Sequence, residues 1–149
     1  MDTSETYVKM CEKAKELQDS WKPDCGDYAI ISQRDNRVVI ITCHLNIDIK
    51  GADRFVDVVF PESYGINVDY KKVQNMTWLP RQDQLQEMVK SDIHPHWQLN
   101  NFVDAGLSDY IQEMGEYTKQ FSSMEQLWLA LVMREKYSKI WNGEVWTKV

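Results

Sequence analysis

The sequence predicts an α+β fold, with an antiparallel β-sheet of about four strands between one N-terminal helix and three C-terminal helices. Segments rich in β-branched residues follow one another between residues 28 and 78 without helical patterns between them, as is typical of an antiparallel sheet. On both sides of this region, apolar residues recur at helical spacing. A chain of 149 residues with 43% hydrophobic content can bury one core, so we expect a single domain over residues 1–149.

One amphipathic helix is predicted at the start of the chain. Asp2 and Glu5 have the spacing of a capping box, which would start the helix at Asp2. The apolar residues that follow at helical intervals are Tyr7, Met10, Cys11, Ala14, Leu17 and Trp21. Pro23 disfavours helical geometry at Lys22, and residues 24–27 supply turn chemistry. We therefore expect one helix before this turn.

The first two strands are predicted at residues 28–32 and 38–49. Both segments are rich in β-branched side chains. The polar segment 34–37 between them is a plausible hairpin loop, so the two strands are expected to pair antiparallel.

Two further strands complete the predicted sheet. Residues 55–60 form a third strand that ends at Pro61, and residues 73–78 form a weaker fourth. The segment 62–72 between them is expected to be a loop.

Three helices are predicted in the second half. Leu85, Met88 and Val89 mark the first, and Ser122 with Glu125 forms a capping box that opens the third. The middle helix is marked by Leu99, Phe102, Val103, Gly106, Leu107, Tyr110, Ile111, Met114 and Tyr117. The third helix is marked by Met124, Leu127, Trp128, Leu131, Val132 and Ile140.

The last residues of the chain are expected to pack against these helices. Asn142 and Gly143 predict a turn, after which Val145 and Trp146 could form a short strand or pack back on the body. Trp141 continues the apolar stripe of the third helix, so we expect it to pack under that helix.

The segment WLPRQD allows two interpretations. In the first, Pro80 occupies the first helical position, Asp83 favours the helix dipole, and Trp78 lies in the core. In the second, Arg81 supplies a planar fork of donors and Gln82 an amide, both near the free N–H groups of a helix start. The second arrangement would suit an anion or a phosphate group.

Three long motifs extend beyond this segment: WLPRQDQLQEM (residues 78–88), WKPDCGDY (residues 21–28) and SMEQLWLALVMREKYSKIWNGEVW (residues 123–146). They resemble a family of small uncharacterised proteins from phages and prophages of Gram-positive bacteria, and residues 29–72 contribute nothing to the likeness. That family has no established catalytic or binding residues to transfer. The resemblance implies a small soluble protein that a phage expresses in the cytosol of its host, where host takeover and counter-defence are common roles.

Charge and cysteine content restrict the classes of partner. A net charge of −6 and a pI near 5.0 would repel a phosphate backbone, so nucleic acid is not an expected partner. Cys11, Cys25 and Cys43 form no CxxC pair, so we expect reduced thiols rather than disulfides or a zinc ribbon. Apolar runs stay well below the roughly 18 residues of a membrane helix, and the first twenty residues do not resemble a secretory signal. We expect a cytoplasmic protein without a membrane partner.

Patterns for catalysis and metal binding are weak. His94 and His96 alternate around a proline, and in an extended segment both could face one metal ion, but incidental histidines in a loop are the better interpretation. Cys43 and His44 would point to opposite faces of a strand, so they cannot act directly as nucleophile and base. The sequence contains no HExxH, GxSxG, GxxxxGK or GxGxxG motif. We expect no metal, no cofactor and a non-catalytic protein rather than an enzyme.

Aromatic content is the more informative feature. Six tryptophans and seven tyrosines exceed what a core of this size requires. Trp97, Trp141 and Trp146 lie in polar or turn-like surroundings, where some of them could be exposed, and indole faces can stack on purines. The predicted ligand-binding residues are Trp78, Arg81, Gln82, His94, His96 and Trp97.

Three functions from different classes are compatible with these features. The first, which we prefer, is a non-catalytic sponge that sequesters a phosphorylated or nucleotide-derived defence signal of the host, and pockets shared in a homo-oligomer would suit a chain of this size. The second is a protein-binding inhibitor that covers a host defence protein with an acidic, aromatic surface. The third is a small hydrolase that degrades such a signal through His94 and His96.

Overall fold

The computed structural model describes residues 1–31, 37–48, 51–60, 63–66, 76–89, 94–104 and 116–149. Its helices are α1 (Glu5–Lys13), α2 (Lys15–Ser20), α3 (Gln82–Met88), α4 (Pro95–Asp104) and α5 (Met124–Tyr137). Its strands are β1 (Tyr28–Ile31), β2 (Arg37–Asp48), β3 (Gly51–Phe60), β4 (Ser63–Ile66), β5 (Met76–Leu79), β6 (Lys139–Trp141) and β7 (Trp146–Lys148). The strands pair antiparallel and occur together with helices, so the predicted α+β class is confirmed. Within the described part of the chain, no helix is both long and apolar enough to span a bilayer.

These elements form two compact units. The sheet unit, Ala14–Pro80, contains α2 and β1 to β5. The helical unit, Met1–Lys13 together with Arg81–Val149, contains the other described helices and the hairpin of β6 and β7. The expectation of one domain over residues 1–149 stays a prediction.

The N-terminal helical segment is divided at Ala14, whose backbone angles of φ −83° and ψ 64° leave the helical region. The Ala14 carbonyl oxygen accepts the Leu17 N–H at 3.0 Å and so begins α2. Ser4 caps α1, because its hydroxyl oxygen accepts the Tyr7 N–H at 3.3 Å. The prediction of one uninterrupted helix that starts at Asp2 is therefore wrong.

The described strands β1 to β5 form one antiparallel sheet in the order β4-β3-β2-β1-β5. The predicted pairing of the first two strands is confirmed, with Tyr28 opposite Ile40 and Ile31 opposite Arg37. Residues 34–36 of the predicted hairpin loop lie outside the described residues, whereas Arg37 belongs to β2.

The other sheet strands differ from the predictions in extent. β3 begins at Gly51, before the predicted start, because its pairing with β2 continues to Gly51 opposite Asp48. β4 lies inside the segment predicted to be a loop and pairs antiparallel with β3, so the loop prediction is wrong there. Backbone pairing with a neighbouring strand, which a side-chain pattern does not report, accounts for this difference. β5 confirms the fourth strand and pairs with β1, whereas residues 67–75 lie outside the described residues.

The turn between α2 and β1 is organised by Asp27, whose side chain is only 2% exposed. Asp27 Oδ2 accepts the Trp21 indole N–H at 2.8 Å and the Asp24 backbone N–H at 2.9 Å. Gly26 has a φ of 82°, which glycine adopts easily, and its N–H donates to the Ile41 carbonyl of β2 at 2.8 Å. Trp21 therefore packs against the core of the sheet unit, and its predicted place in the first helix is wrong.

The helices of the second half follow the predictions in part. α3 is confirmed. Of the predicted middle helix, α4 and residues 116–118 are helical, while residues 105–115 lie outside the described residues. α5 begins one residue later than the predicted box, because the Ser123 hydroxyl oxygen accepts the Gln126 N–H at 3.2 Å. α5 is buried around most of its circumference and packs against α1, α3 and α4, so it is the central helix of this unit.

α5 ends at Tyr137, before the residues predicted to complete it. Ser138 takes a left-handed backbone conformation with φ 52°, and its N–H donates to the Arg134 carbonyl at 3.0 Å. This geometry terminates the helix. Ile140 and Trp141 therefore lie in β6, and the prediction that they continue the helix is wrong.

The hairpin of β6 and β7 packs against the N-terminal helix. Asn142 and Gly143 form its turn, as predicted, and Gly143 has a φ of 97°. Trp141 and Trp146 are both buried, with ring centroids 5.1 Å apart. The Trp146 indole N–H donates to the Met10 carbonyl of α1 at 2.9 Å. The last residues thus form a short strand and also pack back on the body of the unit.

Cys11 and Cys25 are free thiols in opposite environments. Burial raises the pKa of the Cys11 thiol well above its usual value, whereas Cys25 is exposed in the turn before β1. Since the thiolate is the reactive form, we expect iodoacetamide at about pH 8 to modify Cys25 in the native protein and Cys11 only after unfolding. Peptide mass spectrometry would distinguish the two sites, with Cys25→Ser as the control. Early modification of Cys11 in the native chain would contradict its burial.

Candidate functional site

The sequence predicts that an anion could bind at a helix start near Arg81, and in the structure this is the start of α3. α3 begins at Gln82, and the Arg81 N–H donates to the Gln84 side-chain oxygen at 2.9 Å. The Gln84 amide therefore sets the helix start after Arg81. The prediction that Pro80 occupies the first helical position is wrong, since Pro80 lies before Arg81. Asp83 lies in the first turn, as predicted.

The guanidinium of Arg81 pairs with the carboxylate of Asp83. Arg81 Nε and Nη2 donate to the two different oxygens of Asp83, each at 3.1 Å. Hydrogen bonding from Arg81 holds the pKa of the Asp83 carboxyl below its usual value. The donor fork suggested for an anion is therefore engaged by a carboxylate of the same helical turn.

Trp78 lies in the interior of the sheet unit. Its side chain is buried and stacks on Trp21, with ring centroids 5.9 Å apart and planes 2° from parallel. The Trp78 N–H donates to the Gln18 side-chain oxygen at 2.8 Å, and the Gln18 amide donates to the Trp78 carbonyl at 3.1 Å. These contacts attach β5 to α2 and explain why Trp78 belongs to the core.

A pocket of about 480 Å³ lies in the helical unit. Its volume is within the roughly 300–1,000 Å³ that is typical of small-molecule sites. Three of the six predicted site residues line it: Gln82, His94 and His96. The other three, including Arg81 and Trp97 of the same unit, are not among its lining residues.

Helical spacing explains how the lining is assembled. Gln82 and Gln86 lie one turn apart on α3, and Met124 and Trp128 have the same spacing on α5. α4 contributes Pro95, His96, Leu99, Asn100 and Val103, and His94 directly precedes it. Amide, imidazole, indole and apolar groups thus line one cavity.

The two histidines lie side by side at the start of α4. Their ring centroids are 4.6 Å apart and the rings meet edge to face. The His94 carbonyl accepts the Trp97 N–H at 2.9 Å, so His94 precedes the helix while His96 lies in its first turn. An extended segment in which both histidines face one metal ion, as considered from the sequence, is wrong for His96, which is helical. Within the described ranges, no cluster of three or more potential metal ligands is present.

The buried side-chain amide of Gln126 attaches the start of α5 to Asp2 near the beginning of the chain. Gln126 is fully buried, and its side-chain nitrogen donates to Asp2 Oδ2 at 2.8 Å, while its oxygen accepts the Ser122 N–H at 3.1 Å. Burial alone would raise the pKa of the Asp2 carboxyl, but hydrogen bonds led by the one from Ser123 hold it below its usual value. This network fixes the first turn of α5 and with it Met124, which lines the pocket.

Trp128 is the lining residue that the sequence identified only as part of a helix. It is 1% exposed, and its indole Nε1 has no hydrogen-bond partner among the residues that the structure describes. Sequence reasoning did not assign it to the site, nor did it assign Gln86 and Asn100. The sequence signal for these three residues was their one-turn spacing: Gln86 follows Gln82, Asn100 follows His96 and Trp128 follows Met124, each by four residues.

The three tryptophans from polar surroundings have different environments. Trp97, in the first turn of α4, is 61% exposed, whereas Trp141 and Trp146 are buried. Of these three tryptophans, the polar surroundings in the sequence predicted exposure correctly for Trp97 only.

The fold and this pocket were compared with known proteins. No family model, curated protein or solved structure matches the chain.

Proposed function

We propose that this chain binds a nucleotide-derived small molecule in the pocket of the helical unit and sequesters it without transforming it. The observation that carries the proposal is the lining, in which three carboxamides, two imidazoles and the Trp128 indole surround about 480 Å³. Carboxamides both donate and accept hydrogen bonds, so they can match the heteroatoms of a nucleobase. Leu99 and Val103 supply apolar contact for a planar ring.

The imidazoles of His94 and His96 supply partners for a phosphate group. Both lie at the N-terminal end of α4, a helix of 10 residues whose dipole favours negative charge there. A protonated imidazole also donates from both ring nitrogens. We therefore assign the phosphate to the histidine end of the pocket rather than to Arg81, whose guanidinium pairs with Asp83.

The biological setting of the proposal comes from the sequence motifs. Their resemblance to phage and prophage proteins supports a role in counter-defence, in which the protein lowers the free concentration of a host defence signal. Sequestration requires affinity and abundance but no turnover, so a pocket rich in amide and apolar groups suits it.

A protein-binding inhibitor is the second candidate, and the exposure of Trp97 favours it. Trp97 is 61% exposed and Met124 is 45% exposed, both in the helical unit. Tryptophan is enriched among the residues that dominate the energy of protein interfaces. In this candidate function, the exposed Trp97 contacts a host defence protein.

The test is a depletion assay with defined nucleotides. The protein is incubated with AMP, GMP, cyclic mononucleotides, cyclic dinucleotides and ADP-ribose, separated from free ligand, and heated to release what it bound. We expect one nucleotide to be depleted and then recovered intact. Recovery of an altered product would instead indicate a hydrolase that uses His94 and His96, and no depletion of any nucleotide would reject the proposal and favour a protein target.

Two neighbouring asparagines on α4 provide a matched pair of variants. Both residues are exposed, but Asn100 lines the pocket and Asn101 is not among the lining residues. We expect Asn100→Ala to weaken binding of the depleted nucleotide about fivefold to tenfold, as loss of a hydrogen bond or two would do. Asn101→Ala should bind as the wild type does. Equal affinities of the two variants in isothermal titration calorimetry would remove Asn100 from the site.

A further inference from the structure

Strand β5 forms one edge of the five-stranded sheet, since β1 is its only partner among the strands that the structure describes. An edge strand presents backbone N–H and C=O groups that can pair with a strand of another chain. Proteins protect such edges with charged side chains, with proline or with a covering helix. β5 has the sequence MTWL, which contains no charge, so its outer edge needs another form of protection.

The register of β5 against β1 shows which backbone groups face outward. Residues of an antiparallel strand alternate between those that exchange hydrogen bonds with the partner and those whose backbone groups point away. Trp78, which lies opposite Ala29, is of the second kind, because its N–H donates to the Gln18 side-chain oxygen at 2.8 Å. By the same alternation the backbone of Met76 faces outward, and the next such position is Pro80, which has no N–H.

The Gln18 side chain occupies the place of a neighbouring strand. Besides accepting the Trp78 N–H, its amide nitrogen donates to the Trp78 carbonyl at 3.1 Å. A strand added at this edge would form the same two hydrogen bonds with its own backbone, and one carboxamide supplies both the acceptor and the donor. Gln18 and Trp78 belong to the same compact unit. A second strand therefore cannot pair at Trp78 while Gln18 holds these groups.

Packing keeps Gln18 beside β5. α2 has six residues, well below the roughly 12 that an isolated helix needs to be stable in water. Leu17 of α2 is fully buried, and Trp21, directly after the helix, stacks on Trp78 with ring centroids 5.9 Å apart. These contacts place the Gln18 amide at the strand edge, and its two hydrogen bonds close that edge.

We propose that Gln18 prevents the outer edge of β5 from pairing with β5 of a second copy of this chain. Two identical edges related by a twofold axis run antiparallel and present the same groups to each other, so a second copy fits this edge once Gln18 is removed. The contact is thus an autoinhibitory device against self-association. It goes beyond the proposed function, because it concerns the sheet unit and requires no ligand.

The first test measures the backbone amide of Trp78 by hydrogen exchange in ¹⁵N–¹H spectra. Gln18→Met keeps an unbranched side chain of similar length and removes both hydrogen bonds. At low protein concentration, we expect the Trp78 amide to exchange at least about tenfold faster in this variant than in the wild type. The Ala29 amide should keep its rate, since by the same alternation Ala29 bonds to β2. Asp19→Ala, which changes the exposed neighbour of Gln18 on α2, should leave the Trp78 amide unchanged.

The second test measures self-association by sedimentation velocity over a range of protein concentrations. We expect Gln18→Met to associate more than the wild type, and exchange at the Trp78 amide to slow again in the associated form. The double variant Gln18→Met/Met76→Pro should return to the wild-type behaviour. Proline at position 76 removes the other outward N–H and leaves the hydrogen bonds to β1 in place.

Three results would overturn the proposal. The first is a Trp78 amide that exchanges in the wild type as fast as an unprotected amide, which would show that the Gln18 contact does not hold in solution. The second is faster exchange in Gln18→Met without added association at any concentration. The third is added association that persists in the double variant, which would place the new contact elsewhere. If Gln18→Met does not fold, Gln18→Ala serves in both tests.

Discussion

Trp141→Ala is expected to lower the free energy of unfolding of the protein by about 3–5 kcal/mol. The Trp141 side chain is 2% exposed and packs on Trp146, which in turn donates a hydrogen bond to Met10 of α1. Removing the indole leaves a cavity beneath a hairpin of two three-residue strands. The loss therefore includes both the buried apolar area and the attachment of the hairpin to α1.

Urea denaturation followed by far-ultraviolet circular dichroism measures this effect. Trp97→Ala is the matched control, because it removes the same side chain from a position that is 61% exposed. We expect this control to change stability by less than about 0.5 kcal/mol. Similar losses for the two variants would show that the hairpin does not depend on the buried indole.

Asp27→Ala is expected to lower the free energy of unfolding of the protein by about 2–3 kcal/mol. A single oxygen of this buried carboxylate accepts hydrogen bonds from the Trp21 indole at 2.8 Å and from the Asp24 backbone at 2.9 Å. The variant leaves both donors without this acceptor. Trp21 would also lose the contact that holds it against Trp78, so the stacked pair should loosen.

Asp19→Ala is the control for the loss of a carboxylate, since Asp19 is exposed at the end of α2. Its effect should stay within about 0.5 kcal/mol. Asp27→Asn keeps an oxygen acceptor, so we expect a smaller loss than for Asp27→Ala. If urea denaturation gave the same midpoint for Asp27→Ala and Asp19→Ala, the role of Asp27 in the turn would be rejected.

Local patterns were sufficient for the type of most elements and insufficient for their ends. β-branched residues predicted β1 and β2, and helical spacing predicted α3 and α5. Two helix starts moved because a nearby polar side chain caps the helix instead of the predicted one, Ser4 in place of Asp2 and Ser123 in place of Ser122. Adjacent serines and aspartates have similar capping tendencies, so only the contacts of the folded chain decide between them.

The candidate site shows the same division. Gln82, His94 and His96 were identified from their chemistry, and they line the pocket. Arg81 was identified by the same reasoning, but the competing carboxylate two positions away engages its donors. Trp128 was predicted as part of a helix, because a residue on an apolar stripe looks the same in sequence whether a cavity or another side chain lies beside it.

By itself, the sequence determined the α+β class, the pairing of the first two strands and the residue types available for binding, because these depend on periodicity and on the chemistry of single side chains. The tertiary structure decided where α3, α4 and α5 enclose a cavity, which residues reach it and which indole lacks a partner there. Those features join residues as far apart as Gln82 and Trp128, and packing between helices brings them together.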